Sequence, residues 1–328
     1  MKSKSKFLVC FSFIFATLIL FLCFSCTFEG TTDTNDDIKE LNGELAVIFD
    51  YYSKAMTQND PSIVKDFEEA LCKFDEKYGS NLADKYHREY NEYTSRLSSG
   101  TSYPALTDMP FNIDGTVYLS GGDSGVVSSV ISFVSPKATA GKYYHGGSLD
   151  LNKFDPTNLN VPSIQTAITK GAGYETAQDW MVKANVAVLK PAVVVNSSSL
   201  DLSQAAMDYY CDPNNTNMQY GFFANYVNIF NLVTKEDNYY WYCTKVVWRI
   251  YNKLGIDLDS NSSKIDWTTS GLYDMVVAYY YARYFYNWSL AKSKINEYMQ
   301  QARKTIVLAE EIYFSPYLVK YYEQIRNP

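Results

Sequence analysis

The segment that most restricts the fold of this 328-residue chain is Y-W-Y-C-T-K-V-V-W-R-I-Y-N-K-L-G-I-D-L-D, residues 240–259. Its apolar residues recur at three- and four-residue spacing, which predicts a buried helix face: Val246, Val247, Ile250 and Leu254. Gly255 is placed to end that helix, and Cys243 is placed to begin it. A helix N-terminus stabilises a thiolate, so Cys243 is a candidate nucleophile.

The chain has two histidines, and their contexts differ. His87 lies in K-Y-H-R-E-Y, a charged helical pattern that predicts a solvated surface residue. His145 lies in Y-Y-H-G-G-S-L, on a predicted strand where two glycines leave space beside the ring. A thiol at a helix start and a histidine on a strand are two halves of a papain-type pair. The alternative is a buried core thiol and a histidine that binds a main-chain carbonyl.

The remaining cysteines do not indicate a second site. Cys72 falls on the apolar side of a predicted helix and is expected in the core, and Cys211 precedes a turn. Cys10, Cys23 and Cys26 belong to the N-terminal segment that reads as a signal. The three others, Cys72, Cys211 and Cys243, are an odd number at wide spacing, which argues against a disulfide framework. Apart from Cys23 and Cys26 in the apolar N-terminal segment, no cysteines have Cys-x-x-Cys spacing, and no His-x-x-x-His spacing occurs, so we expect no metal site and no cofactor.

The N-terminus reads as an export signal over residues 1–26. Three lysines precede an apolar run of about 16 residues from Phe7 to Leu22, which is shorter than the roughly 20 residues of a membrane span. Ser25 before Cys26 resembles the cleavage site of bacterial lipoproteins, in which the cysteine is lipidated. We therefore expect a lipid-anchored protein of the bacterial cell envelope that faces the periplasm or the exterior. Plain secretion and an uncleaved anchor are the alternatives.

Charge limits the classes of partner. Removal of the three signal lysines leaves 26 basic side chains against 36 acidic ones, a net charge of −10. No basic stripe is visible, so we expect no nucleic-acid partner, and the predicted contact with a membrane is through the lipid anchor.

The hydrophobic pattern divides the chain into regions. Residues 27–36 are polar, as a tether would be, and residues 37–100 carry three apolar stripes that predict a helical bundle. Residues 111–260 mix predicted strands with helices, and residues 261–328 predict a helical extension, with tyrosine-rich stretches at 279–286 and 312–322. The fold class predicted is α+β.

Within residues 111–260 we predict a strand at residues 116–119, a helix turn over 126–134 and strands at 143–151, 163–168 and 186–195. Short helices are predicted at residues 174–183 and 220–234. Gly122-Asp-Ser-Gly125 matches the serine motif of trypsin-like proteases. In those enzymes a histidine and an aspartate precede the serine, and here only helical His87 does, so we set that reading aside.

The Cys243 segment closely resembles the nucleophile segment of the permuted papain-like amidases of the YaeF/YiiX type, which are related to NlpC-like cysteine hydrolases. The residues in register are Tyr242, Cys243, Val247, Trp248, Tyr251, Gly255, Ile256, Asp257 and Leu258, with Thr244 in place of a serine. Weaker matches upstream are Gly115-Thr-Val117, residues 124–131 and the segment around His145. The resemblance covers residues 111–260. It implies a circularly permuted papain-like (NlpC-like) domain, in which the histidine precedes the cysteine.

The third member of the site is where the chain departs from the family. The family places a glutamate in Val-Ile-Glu-Ala after the histidine strand, whereas this chain reads Ser163-Ile-Gln-Thr-Ala167, with no acid. Gln165 and Thr166 are the candidates, because either can accept a ring N–H, and a one-residue slip would exchange their faces. For the oxyanion hole we expect the main-chain N–H of Cys243 and the hydroxyl of Tyr242.

These residues predict a surface-tethered cysteine hydrolase that cleaves an amide or ester acyl bond. By resemblance the substrate is a cell-wall (peptidoglycan) peptide or an acyl lipid. A lipid thioesterase or acyltransferase is the second enzymatic reading. A non-catalytic envelope lipoprotein that binds a ligand in the same cleft is the reading from another class, and the missing glutamate keeps that reading open.

Overall fold

A computed structural model of the chain describes residues 34–58, 60–88, 103–123, 126–168, 171–212, 214, 218–221, 232–284 and 287–327. The predicted signal, with Cys26, lies outside these residues. The chain divides into two compact units, residues 1–41 and 42–328. None of the helices in the described part of the chain is long and apolar enough to cross a bilayer.

The N-terminal region is helical as far as it is described. Helix α1 spans Thr34–Gln58 and so begins inside the predicted tether, and α2 spans Pro61–Tyr78. Asp60 starts α2 by accepting the N–H of Ser62, and Gly79 ends it in the left-handed conformation. Residues 82–88 are helical, and the rest of the predicted third helix lies outside the described residues.

The centre of the fold is a six-stranded sheet in the order β4-β3-β2-β1-β5-β8, in which all neighbours are antiparallel. Its strands are β1 (Val117–Gly121), β2 (Tyr143–Leu149), β3 (Pro162–Ile168), β4 (Gly171–Thr176), β5 (Asn185–Pro191) and β8 (Leu318–Ile325). A parallel pair of two-residue strands, β6 (Gln219–Tyr220) and β7 (Tyr240–Trp241), forms a second sheet that contacts β4. Together with the helices, the sheet makes the fold α+β.

Three of the predicted helical segments contain strand residues. Residues 318–325 pair with β5 as an edge strand, so the helical extension predicted for residues 261–328 is wrong there. Tyrosine favours strands as well as helix surfaces, and the pairing with β5 decides the outcome. Residues 174–176 belong to β4, because Thr176 and Asp179 form a capping box that starts the next helix at Ala177. Tyr220, the first residue of the helix predicted at residues 220–234, belongs to β6, and residues 222–231 of that helix lie outside the described residues.

The helices after residue 120 pack on the sheet or on one another. They are α3 (Val126–Val134), α4 (Ala177–Met181), α5 (Ser197–Cys211), α6 (Cys243–Asn252), α7 (Gly271–Arg283), α8 (Trp288–Thr305) and α9 (Ala309–Tyr313). Helix α6 packs against β2 and β3. A methyl group at Gly146 would lie 3.2 Å from Cγ2 of Thr244, so a glycine in β2 lets the helix approach this closely. The other face of the sheet carries an apolar cluster that includes Tyr118, Leu149, Ile164 and Trp180.

Candidate active site

Cys243 is the first residue of α6, as predicted from its sequence context. Tyr242 precedes it in extended conformation and makes no side-chain cap, and the first N–H groups of a helix have no acceptor within the helix. The thiol is fully buried, with Sγ 3.7 Å from the main-chain O of Tyr144. Strands β2 and β3 pair only at Ser148–Gln165 and Leu149–Ile164, so their ladder ends before this point. The helix N-terminus therefore reaches β2 next to His145.

His145 is held by contacts on two sides of its ring. Its Nε2 atom lies 2.8 Å from Oε2 of Glu175, and its ring stacks on Trp180 with centroids 5.2 Å apart and planes 13° from parallel. A methyl group at Gly147 would lie 3.2 Å from the Trp180 ring and 2.6 Å from Ile164. The second glycine of His-Gly-Gly therefore makes room for the tryptophan that packs on the histidine.

The electrostatics of the site favour an imidazolium. Burial acts to lower the pKa of His145, but the charges of Glu175 and Cys243, with hydrogen bonds to both, raise that pKa to about 10. One ring nitrogen is bound to Glu175, which leaves the other for the thiol. This is the charge state that a thiolate–imidazolium pair requires.

Glu175 is the acid of the site, and the sequence reasoning missed it. Burial acts to raise the pKa of its carboxyl, but the charges of His145 and Lys183 hold that pKa at about 2. The residue lies on β4, opposite Ile164 of β3, which in turn lies opposite Leu149 of β2. Residues paired across strands lie on the same face of the sheet, and so do alternate residues along a strand. Glu175 on β4 and His145 on β2 therefore lie on one face, with β3 between their strands.

Gln165 and Thr166 do not bind the imidazole, so the prediction that one of them does is wrong. The amide nitrogen of Gln165 donates to the hydroxyl of Tyr174, the main-chain O of Gln204 and the carboxylate of Asp208, at 2.8, 2.9 and 3.1 Å. The hydroxyl of Thr166 donates to the main-chain O of Gly146 at 2.6 Å. Both side chains are buried and connect β3 to its neighbours.

The residues on either side of Cys243 bind the segment 306–308. The hydroxyl of Tyr242 accepts the N–H of Val307 at 3.2 Å, and the hydroxyl of Thr244 donates to the main-chain O of Val307 at 2.6 Å. Tyr242 is fully buried. Oxyanion roles for the N–H of Cys243 and the hydroxyl of Tyr242 remain predictions.

The other residues considered lie away from this centre. His87 is on the surface and pairs with Glu68 at 3.5 Å. Cys211 is buried, but Cys72 is exposed and not in the core, because it follows buried Leu71 on α2 and projects beside the apolar stripe. Within the described ranges, no three His, Cys, Asp or Glu side chains are grouped so that they could hold a metal ion.

No protein-family profile matches the chain, and no curated protein matches it. Among solved structures, the chain is similar to the crystal structure of metalloprotein YiiX from Escherichia coli O157:H7. The two share 16% identity over 66% of this chain and 99% of the YiiX chain, with a TM-score of 0.39. YiiX is thus a structural neighbour, at a similarity too low to assign residue roles.

Proposed function

We propose that the chain is a cysteine hydrolase that cleaves an amide or ester acyl bond. The observation that carries this proposal is the arrangement of Cys243, His145 and Glu175: a thiol at a helix N-terminus, an imidazole beside it, and a carboxylate 2.8 Å from the far nitrogen of the ring. Each group has the position that its step in nucleophilic catalysis needs, and the pKa values of His145 and Glu175 give those two groups the charge that their steps need.

The reaction proceeds in two halves. The Cys243 thiolate attacks the acyl carbon, and the bond to the leaving group breaks as His145 gives its proton to the departing amine or alcohol. Water then attacks the thioester, His145 takes one proton from that water, and the thiolate leaves. Glu175 keeps the imidazole oriented and stabilises its charged form in both halves.

The position of Glu175 bears on the choice between an enzyme and a binding protein. The absence of an acid from residues 163–167 was the reason to consider a non-catalytic lipoprotein. That acid is supplied from β4 in this fold, so the main argument for the binding protein no longer applies. We keep the binding protein as the outcome that would follow if the site proves inert.

We also propose that residues 111–260 form a circularly permuted papain-like domain. The support is the order of the three groups along the chain, His145 then Glu175 then Cys243, on an antiparallel sheet that α6 packs against. In papain the cysteine comes first, so the order implies that the same elements are joined at a different point.

The substrate class and location follow from the resemblance and the N-terminal signal. We propose a cell-wall peptide or an acyl lipid as substrate, and attachment to a membrane of the bacterial cell envelope through a lipid on Cys26. A metabolic fatty-acid label would be incorporated into the intact chain and lost in Cys26→Ser. Equal labelling of that variant would contradict the anchor.

The function is tested by incubating the full-length chain with peptidoglycan and, separately, with phospholipid, and analysing the products by mass spectrometry. Release of peptide fragments is expected, and it should be lost in Cys243→Ala but kept in Cys211→Ser, which changes another buried thiol. Fatty-acid release or transfer would identify the thioesterase or acyltransferase instead. If neither substrate changes, but either binds equally well to wild type and Cys243→Ala, the chain is a binding protein.

A further inference from the structure

Lys183 lies between two carboxylates beside the candidate active site. Its Nζ atom is 3.8 Å from Oε1 of Glu175 and 4.0 Å from Oδ2 of Asp123. The three side chains are only 16–21% exposed, so solvent screens their charges weakly. With His145 they form a row of alternating charge, Asp123–Lys183–Glu175–His145, which we call the charge row.

We propose that Lys183 is a positioning residue of this site: it fixes the carboxylate of Glu175 that orients His145, and Asp123 holds Lys183 in place. This inference rests on the proposed hydrolase function and extends it to two residues outside the catalytic trio.

The two oxygens of Glu175 support the argument, because each faces a different cation. Oε2 accepts from His145 at 2.8 Å, and Oε1 faces Lys183 at 3.8 Å. A carboxylate with one partner can rotate about its last bond, whereas one placed between two cations has a single favourable orientation. Nε2 of His145 is hydrogen-bonded to Oε2 of Glu175, so the orientation of this carboxylate determines the orientation of the ring. The position of Lys183 therefore affects how the imidazole is oriented towards Cys243.

Lys183 is itself held from several sides. Its turn is anchored where Oδ1 of Asp123 accepts the N–H of Ala184 at 2.7 Å. The guanidinium of Arg326 donates to the main-chain O of Lys183 and, at 3.2 Å, to that of Met181. The Nζ atom also lies 5.7 Å from the centroid of Trp180, the ring that stacks on His145. Asp123 of the Gly-Asp-Ser-Gly motif thus holds Lys183 in place, a role unrelated to the serine motif of trypsin-like proteases.

Four negatively charged or ionisable groups, from four parts of the fold, face Lys183 among the described residues. They are Glu175 on β4, Asp123 after β1, Asp179 on α4 and Cys243 on α6. Burial acts to lower the pKa of Lys183, but these negative charges raise it, so the ammonium stays charged. Arg326 adds a positive charge near Asp123.

The test is the rate of iodoacetamide alkylation of Cys243 as a function of pH in the full-length chain. The tryptic peptide of residues 236–245 carries Cys243 alone and reports its modification by mass spectrometry. The variants are Lys183→Met, which removes the charge, and Lys183→Arg, which keeps it. Lys294→Met is the matched control, because Lys294 pairs with Glu297 at 2.7 Å on the surface of α8.

Loss of Lys183 removes a positive charge that favours both the ionised Glu175 and the thiolate. In Lys183→Met the rise of the alkylation rate with pH should therefore occur about one pH unit higher than in wild type. At an acidic pH below that rise, the variant should react about tenfold more slowly. Lys183→Arg should restore the wild-type position, and Lys294→Met should not change it. If Lys183 only stabilised the fold, its replacement would lower the melting temperature and leave the pH profile of Cys243 alkylation unchanged.

If Lys183→Met does not fold, Lys183→Gln supplies a neutral polar side chain, and the same shift is expected. An unshifted profile in a folded neutral variant overturns the role of Lys183 while leaving the hydrolase proposal intact. If wild type itself shows an ordinary thiol profile that His145→Ala does not change, both proposals fail together.

Discussion

The Nε2 atom of His145 lies 2.8 Å from Oε2 of Glu175, although the two residues are on strands that do not pair with each other. Strand β3 lies between β2 and β4, and it pairs with β2 over two residues only. The acid that orients the imidazole thus reaches it from beyond the neighbouring strand. The candidate site depends on this relationship.

Replacing Glu175 with glutamine should lower the pKa of His145 from about 10 towards its ordinary value of 6.5. The amide keeps the size of the side chain and removes its negative charge. The chain has two histidines, so NMR titration of the imidazole C–H signals is simple, and His87→Gln assigns them. A His145 signal that titrates at the same pH in wild type and Glu175→Gln would contradict the ion pair.

The same pair should make the free energy of unfolding depend on pH. The pKa of His145 is raised from 6.5 to about 10, so its contribution is complete below pH 6.5 and is lost by about pH 10. The pKa of Glu175 is lowered from 4.5 to about 2, so its contribution is complete above pH 4.5 and is lost towards pH 2. The pair therefore stabilises most between pH 4.5 and 6.5.

Thermal denaturation of wild type and Glu175→Gln measures this dependence. Between pH 4.5 and 6.5 the variant should melt about 5 °C lower, and the difference should shrink as the pH approaches 10. The control Glu297→Gln removes an exposed pair on α8 and should change the melting temperature little at any pH. A difference that grows with pH would have the wrong sign for this account.

The Cys243 helix could be predicted because local sequence determines it. Its apolar spacing, its start after extended Tyr242 and its end near Gly255 are all set within some fifteen residues. The histidine strand was predictable for the same reason. His-Gly-Gly predicted space beside the ring, and the structure fills that space with Trp180.

Glu175 could not be predicted in the same way because its contact depends on the register of two hairpins. The family motif predicts the third residue of the site within residues 163–167, one strand too early, and the sequence pattern predicts a helix at residues 174–176, which belong to β4. A signal was present: Glu175 precedes the capping pair Thr176 and Asp179, which places it at the end of a strand and not inside a helix. Strand β8 was missed for a similar reason, since only its pairing with β5 defines it.

Gln165 and Thr166 should affect stability and not thiol reactivity. Gln165→Leu removes the buried amide that donates to the carbonyl of Gln204 and to the carboxylate of Asp208. Thr166→Val removes the buried hydroxyl that donates to the carbonyl of Gly146. Each loss should cost about 1–3 kcal/mol in urea denaturation. The alkylation profile of Cys243 should match wild type in both variants, and a shifted profile in either would return that residue to the candidate site.

The burial of Cys243 should make its reactivity depend on reagent size. Its thiol is fully buried, whereas Cys72 on α2 is exposed and serves as the internal reference. Going from iodoacetamide to a bulky aromatic disulfide should slow the reaction of Cys243 much more than that of Cys72. The tryptic peptides of residues 66–73 and 236–245 separate the two thiols. Equal slowing at both would show that the thiol is open to large groups.

The most direct test of the account is the pH dependence of Cys243 alkylation in wild type and in His145→Ala. A thiolate held by the His145 imidazolium reacts rapidly at pH 6, well below the roughly pH 8.5 at which an ordinary thiol ionises. We predict a high rate at pH 6 in wild type and an ordinary thiol profile in His145→Ala. An ordinary profile in both proteins would contradict the thiolate–imidazolium pair and with it the hydrolase proposal.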